Sequence, residues 1–179
     1  MVKPLYFSAS DYRTHVQSLL GEYHCKIDPK GRLMFPSKVR KQLEEVMHHG
    51  LVVSRDIFSK CLVLYPKDGW DKVIDEMSRL SRYNEEHELF MQKFMKGATQ
   101  FDLDETGRLL LPSTLLTYAE IDLKKSNEVV LTGMFDKLKL WSLDNYTKYV
   151  LNDDDGIDIR DLAKKVGKDI EGGARFSMN

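Results

Sequence analysis

The stretch "IDPKGRLMFPS" at residues 27–37 returns 76 residues later as "LDETGRLLLPS" at residues 103–113. Both copies contain Asp-x-x-Gly-Arg-Leu, followed at the same distance by Pro-Ser. When residues 21–74 are aligned with residues 97–150 without a gap, 13 of 54 positions are identical, whereas unrelated chains of ordinary composition would share about three. An internal duplication explains this agreement, and it predicts a fold of two related units.

Each copy predicts the same order of short elements. The Asp-Pro-Lys-Gly of residues 28–31 is typical of a type I turn, and Pro36 and Pro112 should end the strands that follow the two turns, because proline cannot donate to a ladder. Val39 and Leu43, at helical spacing, then predict a short helix, with a weaker version in the second copy. Strands are expected at residues 23–27, 32–35, 51–54 and 61–65, and at 99–103, 108–111, 129–131 and 138–141.

Two helices are predicted between the copies. Trp70, Val73, Met77 and Leu80 recur at spacings of three and four, which is typical of an amphipathic helix, and residues 85–95 predict a second one. Packing of the apolar stripe against the strands is the favoured interpretation, and a subunit interface is the alternative.

Four strands and one short helix bury little core alone. The two copies are therefore expected to pair their hydrophobic faces in a pseudo-twofold unit, as the subunits of a homodimer do. The fold class is predicted as mainly β with helices (α+β). The expected division of the chain is an N-terminal extension (1–20), a first unit (21–67), inter-unit helices (68–96), a second unit (97–143) and a C-terminal helical tail (144–179).

Composition predicts an ordinary globular protein that stays out of the membrane. The chain has 179 residues, 42% hydrophobic and 31% charged, with a net charge of −1. Cys25 and Cys61 form no CxxC pair, which favours a reduced cytoplasmic setting over a disulfide framework or zinc site. The N-terminus has no signal-peptide pattern. No apolar run approaches the roughly 20 residues of a membrane helix.

Catalytic motifs are absent from the sequence. It contains no phosphate-binding glycine loop, no nucleophile elbow and no H-E-x-x-H pair, and its histidines lack metal-ligand spacing. We therefore expect no enzyme activity, no catalytic residue, no cofactor and no metal ligand.

The repeated arginine turns are the candidate site, and two interpretations remain open. Each Asp–Arg pair could simply stiffen a hairpin, or the two arginines could be presented to DNA, because a guanidinium makes bidentate bonds to phosphate or to guanine. Residues 21–41 carry six Lys or Arg against two acidic residues, a sum of +4, whereas residues 97–117 carry one against three, a sum of −2. The chain is thus neutral overall but has one basic unit, which favours a polyanionic partner.

The segments "CKIDPKGRLMFPSKVR", "TQFDLDETGRLLLPSTL" and "VVLTGMFDKLKLWSLDNY" resemble the MraZ family, bacterial regulators of the division and cell-wall cluster with two D-x-x-x-R units. The resemblance covers residues 21–150 and rests on the doubled, equally spaced motif. It implies two tandem AbrB-like (SpoVT-AbrB) swapped-hairpin units that form a pseudo-twofold, β-barrel-like domain. It also implies a DNA-binding repressor that acts on direct repeats upstream of its own operon, and ring-like homo-oligomers.

The resemblance matches its motif to Asp28 and Arg32 in the first unit and to Asp104 and Arg108 in the second. Two features depart from the family: residues 1–20 precede the first strand, and the second unit lacks flanking basic residues.

Roles follow for these residues. We expect Arg32 to recognise bases or nearby backbone, and Asp28 and Asp104 to hold the turns with Gly31 and Gly107. The predicted DNA-binding residues are Lys26, Lys30, Arg32, Lys38 and Arg108.

The expected partners are double-stranded DNA with direct repeats and further copies of the chain, and the expected location is the cytoplasm, at the nucleoid. The alternatives are an antitoxin-like DNA binder, with residues 167–179 as its peptide-binding tail, and an oligomeric scaffold that binds protein.

Overall fold

The computed structural model describes residues 18–152, 156 and 158–173, and the chain forms an α+β fold in which antiparallel strands dominate. The strands are β1 (Glu22–Lys26), β2 (Arg32–Met34), β3 (Leu51–Arg55), β4 (Leu62–Pro66), β5 (Thr99–Phe101), β6 (Arg108–Leu110), β7 (Glu128–Met134) and β8 (Lys137–Ser142). The helices are α1 (Ser37–Glu44), α2 (Lys67–Met77), α3 (Glu85–Met95), α4 (Ser113–Tyr118), α5 (Leu143–Tyr146), a π-helical turn (Thr147–Leu151) and α6 (Ile159–Gly173). The predicted fold class is confirmed.

The two copies exchange strands. Six strands form one antiparallel sheet in the order β1-β7-β8-β4-β3-β5, and β2 pairs with β6 in a separate two-stranded ribbon. The first strand of each copy therefore pairs with the third strand of the other copy, β1 with β7 and β5 with β3. The hydrogen-bonded ladder of the larger sheet is open, with β1 and β5 at its edges.

The pairing register follows a pseudo-twofold axis. In the ribbon, Arg32 opposes Leu110 and Met34 opposes Arg108, so exchanging the copies by 76 residues reproduces the same pairs. The β4–β8 pairing is symmetric in the same way, with Leu62 opposite Leu140 and Leu64 opposite Leu138. The axis therefore passes through the ribbon and through the centre of the sheet.

The ungapped alignment is wrong in one strand. Val53 lies opposite Leu64 in β3–β4, whereas Leu131, not Val129, lies opposite Leu140 in β7–β8. The second copy thus has two more residues before its third strand and two fewer after it. Side chains alternate with a period of two along a strand, so this shift keeps the same residues on the buried face.

The ribbon and the helices α1 and α4 cover one face of the six-stranded sheet. Their apolar residues, among them Leu33, Leu109 and Val39, are fully buried in the main hydrophobic cluster together with Leu64 and Leu140 from the sheet. Each fully buried aliphatic side chain stabilises the fold by about 1.5–3 kcal/mol. The ribbon is therefore fixed to a rigid core by its inner face.

Aromatic pairs cover the opposite face. Tyr65 and Trp70 lie 5.5 Å apart between ring centroids, and their equivalents Trp141 and Tyr146 lie 6.4 Å apart. Trp70 also stacks on Phe94 of α3 at 5.7 Å. The apolar stripe of α2 thus packs against the sheet, as predicted, and α2 ends at Met77, before Leu80.

The helix α3 spans its predicted residues but leaves much of its apolar surface in solvent. Leu89, Phe90 and Met95 are all exposed. In the described part of the chain, no helix is both long enough and apolar enough to cross a bilayer.

The end of the predicted N-terminal extension belongs to the fold. Leu19 is 1% exposed, and its backbone N–H donates to the carbonyl of Phe135 at 2.7 Å. The backbone of Leu19 passes so close to Gly133 that a Cβ at this position would lie 2.5 Å from the Leu19 carbonyl oxygen. The close approach therefore requires glycine. Residues 1–17 lie outside the described residues.

Candidate nucleic-acid interface

The first arginine turn is organised by a single carboxylate. Asp28 Oδ1 accepts the backbone N–H groups of Lys30 at 2.9 Å and of Arg32 at 3.0 Å, and Asp28 Oδ2 accepts Arg32 Nε at 2.6 Å. The predicted turn is closed by Gly31 N–H, which donates to the Asp28 carbonyl at 2.9 Å. Asp28 therefore shapes the turn and aims the arginine at the same time.

The second turn repeats this geometry. Asp104 Oδ1 accepts the backbone N–H groups of Thr106 at 2.9 Å and Arg108 at 3.0 Å, and Asp104 Oδ2 accepts Arg108 Nε at 2.8 Å. The Thr106 hydroxyl adds one further bond to Oδ1 at 2.6 Å. Two turns that share only part of their sequence thus hold their arginines identically.

Both carboxylates stay ionised in the folded protein. The backbone N–H of Arg32 makes the largest contribution to lowering the pKa of Asp28 below its ordinary value of 3.8. At the second turn, the Thr106 hydroxyl and then the Arg108 backbone N–H hold the pKa of Asp104 well below that value. A charged carboxylate makes the stronger kind of hydrogen bond to a guanidinium, so each arginine is pre-oriented before any ligand arrives.

The terminal nitrogens of both arginines remain available. Within each guanidinium, only Nε donates to the aspartate. Among the described residues, no other hydrogen bond reaches the guanidinium of Arg32 or Arg108. Their side chains are 31% and 30% exposed. A partly exposed guanidinium with free terminal N–H groups is suited to bidentate bonding to phosphate oxygens or to a guanine edge.

The ribbon brings the two arginines onto one outward face. Leu33 and Leu109 point into the core, so the alternating neighbours Arg32, Met34, Arg108 and Leu110 point outward. Arg32 and Arg108 stand on diagonally opposite corners, a relation that in antiparallel ribbons corresponds to roughly 7–8 Å. We call this outward face of β2 and β6 the ribbon face.

The ribbon face contains two exposed apolar residues that were not predicted from the sequence. Met34 is 45% exposed and Leu110 is 56% exposed, each directly opposite an arginine in the register. The alternation of a three-residue strand about a buried leucine is the signal that identifies them.

The predicted lysines fall in different places. Lys30 lies exposed on the first turn, beside Arg32, and Lys38 lies exposed in the first turn of α1. Lys26 is at the end of β1 in the larger sheet, where its ammonium lies 3.7 Å from the carboxylate of Glu128. Lys30 is therefore an exposed cation on the turn that leads into β2, whereas Lys26 is partly neutralised by an acidic neighbour.

Outside the arginine turns, possible metal ligands and the two cysteines are the groups to consider among the described residues. Within them, no three His, Cys, Asp or Glu side chains are grouped so that they could hold a metal ion. Cys25 and Cys61 are buried thiols, and burial raises their pKa to about 11 and about 12.

Comparison with known proteins agrees with the tandem geometry. The family model described as "MraZ protein, putative antitoxin-like" matches twice, at residues 18–93 and 94–160. A protein of Christiangramia forsetii named "Transcriptional regulator MraZ" is 36% identical over 149 residues, which are 83% of this chain and 92% of that protein. Proteins of the same name from Flavobacterium psychrophilum and Moorella thermoacetica are 34% and 35% identical, over 84% and 73% of this chain and 92% and 85% of theirs.

Proposed function

Since the chain belongs to the MraZ family, we propose that it is a sequence-specific DNA-binding transcriptional regulator. In this proposal it represses its own division and cell-wall operon by binding direct repeats in the promoter. The relatives are named as transcriptional regulators, and such an activity consists of binding rather than catalysis. The proposed place of action is the cytoplasm, at the nucleoid.

The ribbon face is the observation that carries the proposal. A two-stranded antiparallel ribbon fits the major groove of B-DNA, which is roughly 12 Å wide. Here the ribbon is attached to the core by Leu33 and Leu109 and presents Arg32 and Arg108 outward. Because their Nε atoms are already held, little side-chain freedom is lost when the terminal nitrogens bind.

The proposed contacts divide into recognition and positioning. Arg32 recognises a base edge or the adjacent backbone, and Met34 and Leu110 supply apolar surface of the kind that meets thymine methyl groups. Lys30, Lys38 and more weakly Lys26 contact phosphates, which positions the protein without reading sequence. The carboxylates of Asp28 and Asp104 hold the turns and do not contact DNA, because they would repel phosphate.

A ring-like homo-oligomer completes the proposal. Exposed Leu89, Phe90 and Met95 on α3 offer an apolar surface that a second copy could cover. One ribbon makes few contacts, and linking several on successive repeats raises the apparent affinity without new contacts. Light scattering at micromolar concentration tests the assembly, and a mass near the 20.8 kDa of one chain would contradict it.

The function is tested by gel shifts on DNA upstream of the protein's own gene, with a scrambled duplex of equal composition as control. We expect a specific shift with the intact protein and its loss in Arg32→Ala at unchanged oligomer size. Lys30→Ala should weaken binding to both duplexes about equally. Equal binding of the intact protein to both duplexes would refute sequence-specific recognition. If Arg32→Ala breaks the assembly while its subunits still bind the promoter, the turn is subunit contact and a scaffold role replaces this proposal.

A further inference from the structure

A basic side chain of the first unit lies across the turn of the second unit. Gly107 sits in the left-handed region at φ +76°, and a Cβ there would lie 2.9 Å from Cδ and 3.2 Å from Nη1 of Arg40. Arg40 belongs to α1, next to the buried Val39. Its side chain therefore rests directly on the turn that carries Arg108, with no room for even a methyl group between them.

Nothing in the described part of the chain uses the charge of Arg40. Its Nε is buried without a hydrogen-bond partner, and the guanidinium makes no ion pair there. A desolvated donor without a partner is unfavourable, so an arginine at this position is a poor choice for packing alone. The stem of the side chain covers the turn, while the charge has no internal role.

The two units differ here in a complementary way. The residue equivalent to Arg40 in the second unit is Leu116, which is 6% exposed and lies near Gly31, with its Cδ1 3.8 Å from the position of an added Cβ. The residue equivalent to Lys30 is Thr106, which carries no charge. The first turn thus has its own lysine and an apolar neighbour, whereas the second turn lacks the lysine and has an arginine as that neighbour.

We propose that Arg40 is a DNA phosphate contact of the second turn, supplied by the first unit in place of the lysine that position 106 lacks. Each end of the ribbon face then carries two cations, Lys30 with Arg32 and Arg40 with Arg108. This inference rests on the proposed DNA-binding function and adds a residue and a phosphate to it. It also assigns the acidic second turn a direct share in binding.

The test is the salt dependence of DNA binding by the full-length protein, measured by fluorescence anisotropy on a labelled promoter duplex. Each phosphate contact contributes about 0.9 to the slope of log affinity against log salt. Arg40→Leu mimics Leu116 and keeps apolar cover on the turn, so we expect the slope to fall by about 0.9 per bound subunit. When salt rises fourfold, the factor by which affinity decreases is then about 3.5 times smaller per subunit in the variant than in the unchanged protein.

Two further variants separate charge from packing. Arg82→Leu removes an exposed arginine from the α2–α3 connection, on the side of the sheet opposite the ribbon, and should leave the slope unchanged. Thr106→Lys added to Arg40→Leu restores a cation at the position that lysine occupies in the first turn, and should restore the slope. If Arg40→Leu melts at a lower temperature than the unchanged protein, the salt slope is measured with Arg40→Gln, which removes the charge but keeps a polar side chain.

The outcomes distinguish this inference from the function beneath it. An unchanged slope in Arg40→Leu and Arg40→Gln overturns the role of Arg40, while specific binding that is lost in Arg32→Ala leaves the proposed function standing. A reduced slope that Thr106→Lys does not restore also overturns it, because packing rather than charge was then removed. A flat salt response in the unchanged protein would contradict both the Arg40 phosphate contact and the proposed DNA-binding function.

Discussion

Replacing Gly31 by alanine is expected to destabilise the fold more than the same change at Gly107. Both glycines adopt a left-handed backbone, with φ of +84° and +76°, so alanine costs about 1–2 kcal/mol of unfolding free energy at either position. The surroundings differ. The added Cβ would lie 2.9 Å from the backbone oxygen of Leu111 at Gly31, but 2.9 Å from the flexible Arg40 side chain at Gly107.

The difference between the variants follows from the contact at Leu111. The backbone N–H of Leu111 donates to the Gly31 carbonyl at 2.9 Å, so moving that strand end away endangers a buried hydrogen bond worth about 0.5–1.5 kcal/mol. The expected loss of unfolding free energy is therefore about 1.5–3.5 kcal/mol for Gly31→Ala, against about 1–2 kcal/mol for Gly107→Ala. In a chain of this length the difference corresponds to about 1–6 °C in Tm.

Urea unfolding monitored by tryptophan fluorescence measures this difference. Protein concentration must be equal in all samples, because self-association makes apparent stability concentration-dependent. Equal m-values are required before the midpoints are compared. If Gly107→Ala proved as destabilising as Gly31→Ala, or more so, the backbone contact at Leu111 would not constrain the first turn, and the reasoning would be refuted.

Other predictions concern the core, the asymmetry of the arginines and pH. Trp70→Ala should lower the unfolding free energy by about 3–5 kcal/mol, because the indole is 6% exposed and stacks on α3; a loss below 1 kcal/mol in urea unfolding would show that the α2–α3 layer contributes little. Arg108→Ala should weaken promoter binding less than Arg32→Ala in gel shifts, since the acidic second turn opposes phosphate; a larger loss would reverse the proposed asymmetry. Folding lowers the pKa of Asp28 and Asp104, so their stabilisation is present above pH 3.8 and is lost as pH falls through the folded values. Changing both to Asn should flatten the acid limb of stability against pH, and an equally steep limb would contradict their role.

Much of the fold could be predicted from the repeat. The turn chemistry of Asp28 and Gly31 is local, and so is the strand-ending effect of Pro36, because both depend on neighbours within a few residues. The aromatic pair Tyr65 and Trp70 returns as Trp141 and Tyr146, so aromatic side chains from both copies cover the face of the sheet opposite the ribbon. Local chemistry and duplication together thus determine the elements and the fold class.

What the sequence could not show depends on contacts between distant residues. The two-residue shift of β7 changes no face, so hydrophobic pattern alone cannot detect it; the pairing of Leu131 with Leu140 reveals it. In the sequence, Arg40 is only one of the six basic residues in the segment 21–41. Its place on Gly107 arises from strand exchange between units, and no spacing within one copy encodes that exchange.

Fusing the two units in one chain permits an asymmetry that a homodimer cannot have. In a homodimer every substitution appears at both symmetric positions, so an arginine at the position of Arg40 would also replace Leu116. That leucine is 6% exposed within the main core, and an unpaired charge buried there would be strongly unfavourable. Duplication within one chain removes this coupling: Leu116 fills the core beside the first turn while Arg40 stays charged beside the second. The same freedom allows Lys30 on one turn and Thr106, bonded to Asp104, on the other. A ribbon with twofold geometry can therefore carry two chemically different ends, which is a property suited to binding a DNA sequence with a direction.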